Sequence, residues 1–286
     1  MVSVDVNDAH LRGWLRALEA RHLSDLRVPE VTRALRALSS AYVERRRRPS
    51  GDADHRPVVQ GTLDTAGKRA AFALFYAPLH FLTVAAVLDA LGEPALPIPR
   101  TITDLGCGTG VAGAAWALTA TGQRPDARQQ LEVVGIDRHP WAIEETRWTY
   151  RQLGLRGHGR RGDISRITPV RRGAVIAGWA LNELADESRA RVEDLLIEAA
   201  DRGCRVLVLE PLARSVAPWW NALAARVAGL GWRADEWRFP IDLPPVLSLF
   251  DKAAGLSHRE LTARTLYVGA PRSEGTEGRP PEPSEP

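Results

Sequence analysis

The fold is decided by the stretch Thr101-Ile102-Thr103-Asp104-Leu105-Gly106-Cys107-Gly108-Thr109-Gly110. A short run with β-branched residues leads to an acid, three glycines follow at alternate positions, and the small-residue segment 111–117 comes next. This order predicts a strand, a tight loop and the start of a helix. Glycine is needed where the backbone approaches a ligand closely, because a Cβ would block the approach and many of the φ values of such a turn.

Two classes of ligand suit this loop. Gly108, Gly110 and Gly113 form a G-x-G-x-x-G, the fingerprint of a dinucleotide site, and Asp137 follows at about the 20-residue spacing of a ribose-binding acid. However, Gly113 falls inside the predicted helix, and Asp104 would place a carboxylate beside a pyrophosphate. An acid at that position suits a ligand with positive charge and no phosphate, such as S-adenosylmethionine. A nicotinamide or flavin site and a turn without any ligand stay as alternatives.

Composition narrows the class of protein. The 286 residues suffice for one large domain with an accessory segment, and a hydrophobic content of 44% is ordinary for a globular chain. We find no apolar run of about 18 residues, which predicts no membrane span, and no signal-peptide pattern at the N-terminus. The two cysteines make no disulfide framework, so we expect a reduced, cytoplasmic setting.

The basic residues are almost all arginine. Lys68 and Lys252 are the only lysines among 38 basic side chains, and the formal net charge is +3. Arginine forks match phosphate, but a GC-rich genome gives the same excess, and a charge of this size does not establish a nucleic-acid partner. The run Glu44–Arg48 suits either a solvated helix C-terminus or a phosphate contact.

The first hundred residues are predicted to be mostly helical. Apolar residues recur at helical spacing in two stripes across residues 8–48, and a polar linker follows at 50–61. Asp64 or Thr65 can cap a helix over 66–91, in which Pro78 should produce a kink or a break. Residues 92–100 contain three prolines and are predicted to be a linker.

From residue 100 the chain alternates predicted strands and helices, which indicates an α/β fold. We expect a doubly wound, seven-stranded, mostly parallel sheet preceded by a helical segment. Strands are predicted near 101–105, 131–136, 158–161, 174–177, 205–210, 232–239 and 261–268. The predicted organisation is a helical cap or substrate-binding segment (1–98), a cofactor-binding domain (99–270) and a disordered tail rich in Pro, Glu, Gly and Ser (271–286).

The glycine loop resembles the first motif of the class I methyltransferases, in which an acid precedes G-x-G-x-G. That resemblance implies S-adenosylmethionine as cofactor, held by the loop and by the ends of the next two strands. In this superfamily an acid after the third strand bonds the adenine amino group, and Asp163 matches it, with Ile164 beside the ring. The implied cofactor-binding residues are Asp104, Gly106, Cys107, Gly108, Gly110, Asp137, Arg138, Asp163 and Ile164.

Two of these acids also have structural interpretations. Asp137 can accept hydrogen bonds from both ribose hydroxyls, but it can also cap the helix that Pro140 begins. Asp163 can likewise be a turn or capping residue. Trp179 and Tyr76 are further candidates for the cofactor side of the site. Trp179 could lie over the adenine or the sulfonium as a cation–π contact, or could fill the hydrophobic core.

The loop after the fourth strand should face the methyl acceptor. Asn182 and Glu183 are the polar pair there, although a capped helix start explains them equally well. Methyl transfer needs positioning, removal of water and, for a protonated nucleophile, a general base. Glu183, His80 and Glu210 are the candidate bases, with Glu183 ranked first and Glu210 expected near the rim of the pocket.

Residues 30–215 resemble one methyltransferase branch, the methyltransferase-like proteins of mitochondrial small-subunit ribosome assembly and their bacterial relatives. The matching features are Tyr42–Arg46, Ala71–Phe81, the glycine loop, Leu181–Leu184 and Leu209–Pro211. The resemblance implies ribosomal RNA or the small ribosomal subunit as partner. Those proteins hold a metal cluster through cysteines, and two cysteines cannot supply a four-cysteine site. We therefore expect no metal.

Three functions follow from these patterns. The first is methylation of RNA, with the N-terminal helices and arginines on phosphates, and the second is methylation of a small molecule under a helical lid. The third is a non-catalytic, cofactor-binding factor of ribosome assembly. A basic surface around the mouth of the pocket favours the first or third, and a closed apolar cavity favours the second.

Overall fold

A computed structural model of the chain describes residues 9–47, 63–122, 124–168 and 170–269, with side chains left out at 9–10 and 41–47. The predicted linker at 50–61, the predicted tail at 271–286 and the side chains of the run Glu44–Arg48 lie outside the described parts.

The sheet has the predicted seven strands. They are β1 (Thr101–Leu105), β2 (Glu132–Asp137), β3 (Gly157–Arg161), β4 (Ala174–Gly178), β5 (Arg205–Glu210), β6 (Arg233–Pro240) and β7 (Glu260–Val268). Their order is β3-β2-β1-β4-β5-β7-β6. β1 to β5 pair in parallel, and β7 runs antiparallel to both β5 and β6. The doubly wound, mostly parallel fold is therefore confirmed. In dinucleotide-binding folds the sixth strand lies beside β5, whereas here β7 lies between β5 and β6.

Nine helices flank the sheet in the described residues. They are α1 (Ala9–His22), α2 (Val28–Arg47), α3 (Ala66–Ala90), α4 (Val111–Thr121), α5 (Pro125–Gln130), α6 (Pro140–Gln152), α7 (Asp186–Asp201), α8 (Trp220–Ala228) and α9 (Pro245–Ala253). The predicted elements agree with them to within about three residues. α5 and α9 were not predicted, because each is short and opens on a proline within a segment rich in turn-forming residues.

Alternation along the buried strands divides the core between the two faces of the sheet. Ile176 and Leu207 belong to one apolar cluster, which the N-terminal helices, α4 and α9 complete. Val175 and Val206, one position away on the same strands, belong to the other cluster with α7 and α8. A period of two is expected when both faces of a strand are covered. The helices before residue 98 thus share a core with the sheet, and the predicted division at that residue stays a prediction.

α3 is the helix in which a kink or a break was expected at Pro78, and it continues past Pro78 without a break. Thr65 caps it, its hydroxyl accepting from the amide of Lys68 at 3.2 Å. The strain is absorbed by a π-helical turn, Phe72–Tyr76, directly before the regular segment Ala77–Ala90, in which Pro78 occupies the first turn.

α3 is also apolar and long enough to cross a membrane by composition, so the expectation of no such run was wrong. Its 25 residues include an apolar window that is 78% buried inside the protein. Burial of this extent is what the central helix of a globular core shows. α3 packs against α4, contacts β7 and carries the aromatic side chains described below.

Candidate functional site

A cavity of about 460 Å³ lies at the carboxyl ends of the parallel strands. We divide its lining into two sides. The first is the glycine loop after β1 with the loops after β2 and β3. The second is α3, Ser39 of α2, the loop after β4 and the segment 256–262 that leads into β7. A volume of a few hundred Å³ at this edge of a doubly wound sheet is typical of a small-molecule site.

The glycine loop is held close under the loop after β4. Gly106 has a φ of +67°, and a Cβ built on it would lie 2.6 Å from the Cβ of Ala180. Only glycine satisfies both conditions. Gly106, Cys107 and Gly108, predicted to bind the cofactor, line the cavity. Gly110, predicted with them, lies outside the lining, and a Cβ on it would meet Thr146 and Tyr150 of α6 at 2.8 Å, so the structure shows a packing reason for this glycine.

Asp104 is the penultimate residue of β1 and is 1% exposed. Its Oδ2 accepts from the amide of Gly113 at 2.8 Å. A Cβ built on Gly113 would lie 3.0 Å from the Cβ of Asp104 and 2.9 Å from Val133, which explains why a glycine recurs inside α4. Burial raises the pKa of Asp104 to about 7, the bond from Gly113 acts against this, and the neighbouring Asp137 raises it further. A positively charged ligand beside Asp104 would stabilise its ionised carboxylate. It would offset both the cost of burying that charge and the repulsion from Asp137.

Asp137 ends β2 and joins the glycine loop to α6. Its Oδ2 accepts from the amide of Gly108 at 3.0 Å, and its Oδ1 accepts from the amide of His139 at 2.8 Å. Burial raises its pKa, opposed by these two hydrogen bonds. The N-cap of α6 is His139, so Asp137 does not cap that helix but accepts from the residue before it. Asp137 lines the cavity together with Arg138.

Asp163 and Ile164 follow β3 and line the same side of the cavity. The capping interpretation of Asp163 holds, since its Oδ1 accepts from the amide and the hydroxyl of Ser165 at 2.9 and 2.7 Å. Burial acts to raise its pKa, but the bonds from Ser165 outweigh it, and the pKa lies below the ordinary value. The group is therefore ionised at neutral pH, with Ile164 supplying a buried apolar neighbour.

Thr109 is a polar residue of the loop that sequence reasoning missed. Thr109 is a lining residue of the cavity. Its hydroxyl is buried, and within the described parts of the chain it has no hydrogen-bond partner. Buried polar groups are nearly always paired. The neighbouring Cys107 is different, since its thiol lies 3.3 Å from the hydroxyl of Thr146 and burial raises its pKa. Thr109 is thus a polar atom that a ligand in the cavity would satisfy.

The opposite side of the cavity is an aromatic wall, formed by Phe72, Tyr76 and His80 of α3 and by Trp179. The three helical residues are spaced four apart, so they lie on one face. Trp179 stacks on His80, with ring centroids 3.8 Å apart and an interplanar angle of 8°. The hydroxyl of Tyr76 lies 3.0 Å from that of Ser39. Tyr76 and Trp179, predicted on the cofactor side, therefore lie on the wall.

Trp179 has a φ of +55°, the one positive value among the described residues other than glycine. Left-handed backbone in a bulky residue costs on the order of 1–3 kcal/mol and is found mainly at functional sites. Here the strained residue follows β4 directly, where its amide donates to the carbonyl of Leu209 at 2.8 Å. The conformation accompanies the stacked arrangement of the indole on His80 and was not predictable from composition.

The predicted bases are not equally suited to take a proton. Burial lowers the pKa of His80 to about 3, so the neutral ring is a weak base at pH 7. Glu210 is fully buried rather than at the rim, and both its oxygens accept from Asn182, through the side-chain amide and the backbone N–H. Burial raises the pKa of Glu210 to about 8. Asn182 thus anchors its own loop, and Glu183 lines the cavity beside it.

The segment before β7 brings a further histidine into the lining. The Nδ1 of His258 lies 2.5 Å from Oδ1 of Asp251, and its amide donates to Oδ2 of the same carboxylate at 3.1 Å. Sequence reasoning missed this pair because Asp251 lies in α9, a helix that was not predicted, and His258 lies in the segment between α9 and β7. Among the described residues, no group of three or more His, Cys, Asp or Glu side chains is arranged to hold a metal ion.

No model of a known protein family matches the sequence, and no curated protein is similar to it. In fold, the chain is similar to many solved S-adenosylmethionine-dependent methyltransferases. A TehB-like methyltransferase from Corynebacterium glutamicum is 19% identical, with 65% of this chain and 87% of that one covered and a TM-score of 0.41.

Two other structures extend this likeness. A methyltransferase from Aquifex aeolicus is 14% identical, with 63% and 86% covered and a TM-score of 0.42. The mitomycin 7-O-methyltransferase is 20% identical, with 90% of this chain and 72% of that one covered and a TM-score of 0.47. Nothing in these likenesses points to the ribosome-assembly branch. We therefore draw the function from the site itself.

Proposed function

We propose that this protein is an S-adenosylmethionine-dependent methyltransferase. The observation that carries the proposal is the set of acids at three neighbouring strand ends, Asp104, Asp137 and Asp163, which line one side of a single cavity. The ammonium, the two ribose hydroxyls and the adenine amino group of this cofactor all donate hydrogen bonds. An ionised carboxylate is a hydrogen-bond acceptor and not a donor. The donors of the proposed cofactor therefore match the acceptors of this side.

The site fits this cofactor better than a dinucleotide. A pyrophosphate at the glycine loop would lie near Asp104 and Asp137, whose mutual repulsion already raises the pKa of Asp104. Positive charge lowers that repulsion and negative charge adds to it. The hydroxyl of Thr109, which has no partner in the described structure, offers one more polar contact to a bound ligand.

Each part of the cavity has a task in this proposal. The cofactor supplies an electrophilic methyl group when it is bound. Asp137 would hold the ribose, Asp163 the adenine amino group with Ile164 along its ring, and the acid Asp104 would balance the positive charge. The aromatic wall would exclude water and orient the acceptor, because a displacement at carbon depends on alignment of the reacting atoms.

We propose a small molecule as the acceptor. The wall is formed by apolar and aromatic side chains, and Leu79, Leu184, Val216 and Leu256 extend it. Residues of α3 and Ser39 of α2 line the cavity on that side, which is the position expected of a helical lid.

RNA, ribosomal RNA included, is the second candidate, favoured by a specific observation. The positive charges of Arg69 and Arg161 act on His139, next to Asp137, and Arg138 lines the cavity itself. Arginines gathered near a cavity are suited to phosphate contacts.

Transfer of labelled methyl groups tests the proposal and separates the acceptors. The protein is incubated with S-adenosylmethionine that carries tritium in its methyl group and with fractionated cell extract. Label in the small-molecule fraction would support a small molecule as the acceptor. Label that nuclease treatment removes would identify RNA as the acceptor instead. Absence of label in every fraction would contradict enzymatic activity and leave the non-catalytic alternative. The Asp137→Ala variant serves as the control for transfer that does not depend on the site.

A further inference from the structure

His258 lines the cavity, and Asp251 of α9 holds it from outside the lining. Asp251 is 5% exposed and directs both carboxylate oxygens to His258, one to the ring and one to the backbone amide. A buried carboxylate with two bonds to one histidine fixes the position and the rotation of that ring. The ring also packs edge-on against Phe75 of α3, with centroids 5.6 Å apart.

The hydrogen bond to Asp251 decides which nitrogen of His258 is basic. An ionised carboxylate only accepts, so the proton of the neutral ring is held on Nδ1. The lone pair is then on Nε2, which is the nitrogen that can take a further proton. A histidine oriented in this way by a third group is the recurring arrangement of a general base.

The surroundings of His258 indicate what it would act on. Its neighbours in the cavity lining are Leu256 and Leu261, and the aromatic wall lies on α3, against which the His258 ring packs through Phe75. Glu260, an acid of the same segment, pairs with Arg238 at 3.3 Å. A flat aromatic ring suits the wall, and a hydroxyl on that ring needs a base, because a phenol with a pKa near 10 is mostly protonated at pH 7.

We propose that His258, oriented by Asp251, is the general base that takes the proton of a phenolic hydroxyl on the methyl acceptor. This inference rests on the proposed function. In the step, the O–H bond breaks and its proton passes to Nε2 of His258, while the oxygen forms a bond to the methyl carbon. The bond from that carbon to the sulfonium sulfur breaks, and the sulfur keeps the electron pair and becomes a neutral thioether.

The His258→Asn variant tests this assignment. The amide of asparagine can still donate to Asp251, but it has no basic nitrogen. Transfer of tritiated methyl groups to 4-methylphenol should fall on the order of a hundredfold or more, the range of general-base catalysis. With 4-nitrophenol, which ionises without help near neutral pH, the loss should stay below about tenfold. His158→Asn is the matched control, since His158 also pairs with an acid, Glu132, but lies outside the cavity lining.

Two readouts besides turnover separate the possible failures. Calorimetry with S-adenosylhomocysteine should give the same affinity for wild type and His258→Asn. Absorbance of 4-nitrophenolate should rise when the phenol binds the wild-type protein with S-adenosylhomocysteine, and should rise less with His258→Asn. Asp251→Asn, which keeps a hydrogen-bond acceptor but removes the charge, repeats the test if His258→Asn does not fold.

Equal transfer to 4-methylphenol by wild type and His258→Asn would overturn the assignment of His258 as the base. Binding of S-adenosylhomocysteine without methylation of either phenol by the wild type would overturn the acceptor class and leave the proposed function standing. Absence of that binding would overturn the proposed function and the inference together.

Discussion

The two sides of the cavity are built in different ways. The side with Asp104, Asp137 and Asp163 consists of short loops at consecutive strand ends, each close in sequence to the strand that positions it. The other side consists of the aromatic wall and His258, which are brought together from α3, from the end of β4 and from the turn before β7. The first side depends on backbone geometry, and the second depends on packing between distant segments.

This difference assigns separate tasks to the two sides. Glycines and carboxylates in fixed loops suit a ligand that is always the same, which is the property of a cofactor. Aromatic side chains from several elements form a surface whose shape depends on every member, which is the property of an acceptor site. Changes on one side should therefore leave the chemistry of the other side largely intact.

The largest effect is expected from Gly106→Ala, which attacks the backbone geometry of the first side. The new Cβ would meet Ala180 at 2.6 Å in a residue with a φ of +67°. Strain and overpacking together should lower the free energy of unfolding by about 2–5 kcal/mol. Urea unfolding measures this. Gly92→Ala is the control, because Gly92 has a φ of +79° but open space around its Cβ, and an equal loss in both variants would refute the packing account.

Trp179→Ala attacks the packing of the second side. Loss of the stack should expose His80, and because burial is what lowers its pKa to about 3, the pKa should rise toward the ordinary histidine value. NMR titration of the ring measures it, with Trp148→Ala of α6 as the control. The affinity for S-adenosylhomocysteine should change by less than about threefold, below about 0.7 kcal/mol. A larger loss would place Trp179 on the cofactor after all.

Glu210→Gln tests the buried acid that anchors the loop between the two sides. Burial raises the pKa of Glu210 to about 8, so its protonated form is favoured in the folded state. Its contribution to stability is present below the ordinary glutamate pKa and is lost as the pH rises through about 8. The unfolding free energy of wild type should thus fall between about pH 5 and pH 8, by up to about 1.4 kcal/mol per pH unit for one proton.

In Glu210→Gln this slope should be shallower, as followed by urea unfolding at several pH values. The exposed Glu187, changed to Gln, should leave the slope as it is in wild type. If Glu210→Gln and Glu187→Gln gave the same slope, the buried acid would not be the titrating group.

The smallest effect concerns the proton on Asp104. Its pKa of about 7 should fall when a positively charged ligand binds, so S-adenosylmethionine should release roughly half a proton at pH 7 and bind more tightly as the pH rises from about 6 to about 8. Calorimetry in two buffers with different ionisation enthalpies measures the release. Asp104→Asn should abolish it, and Asp126→Asn on α5 should not. Proton uptake by wild type would have the wrong sign for this account.

The first side could be predicted from the sequence because its signals are local. The glycines and Asp104 lie within seven residues, Asp137 ends β2, and Asp163 lies two residues after β3. β4 and β5 were recognisable for the same reason, since burial on both faces leaves continuous apolar runs. β3 and β6 are largely exposed and lack such a run. Gly110 was the exception, because its contacts with α6 depend on tertiary packing that a motif does not contain.

The second side could be predicted only in part. His80 and Trp179 were singled out as candidates, but their stacking joins residues about a hundred positions apart, and no local pattern specifies it. The π-helical turn before Pro78, the positive φ of Trp179 and the pair His258–Asp251 have no sequence signature. Burial also changes the outcome for two candidate bases. It lowers the pKa of His80, so that His80 is a weak base, and Glu210 is fully buried instead of lying at the rim of the cavity.

The central claim is that the side with the three acids holds S-adenosylmethionine, and calorimetric titration of S-adenosylhomocysteine tests it most directly. The wild-type protein should bind it at one site, and Asp137→Ala should bind about 1–3 kcal/mol more weakly through the loss of hydrogen bonds to the ribose. NAD should give no heat of binding. Binding of NAD in place of S-adenosylhomocysteine, or an affinity for the latter that Asp137→Ala leaves unchanged, would contradict the account.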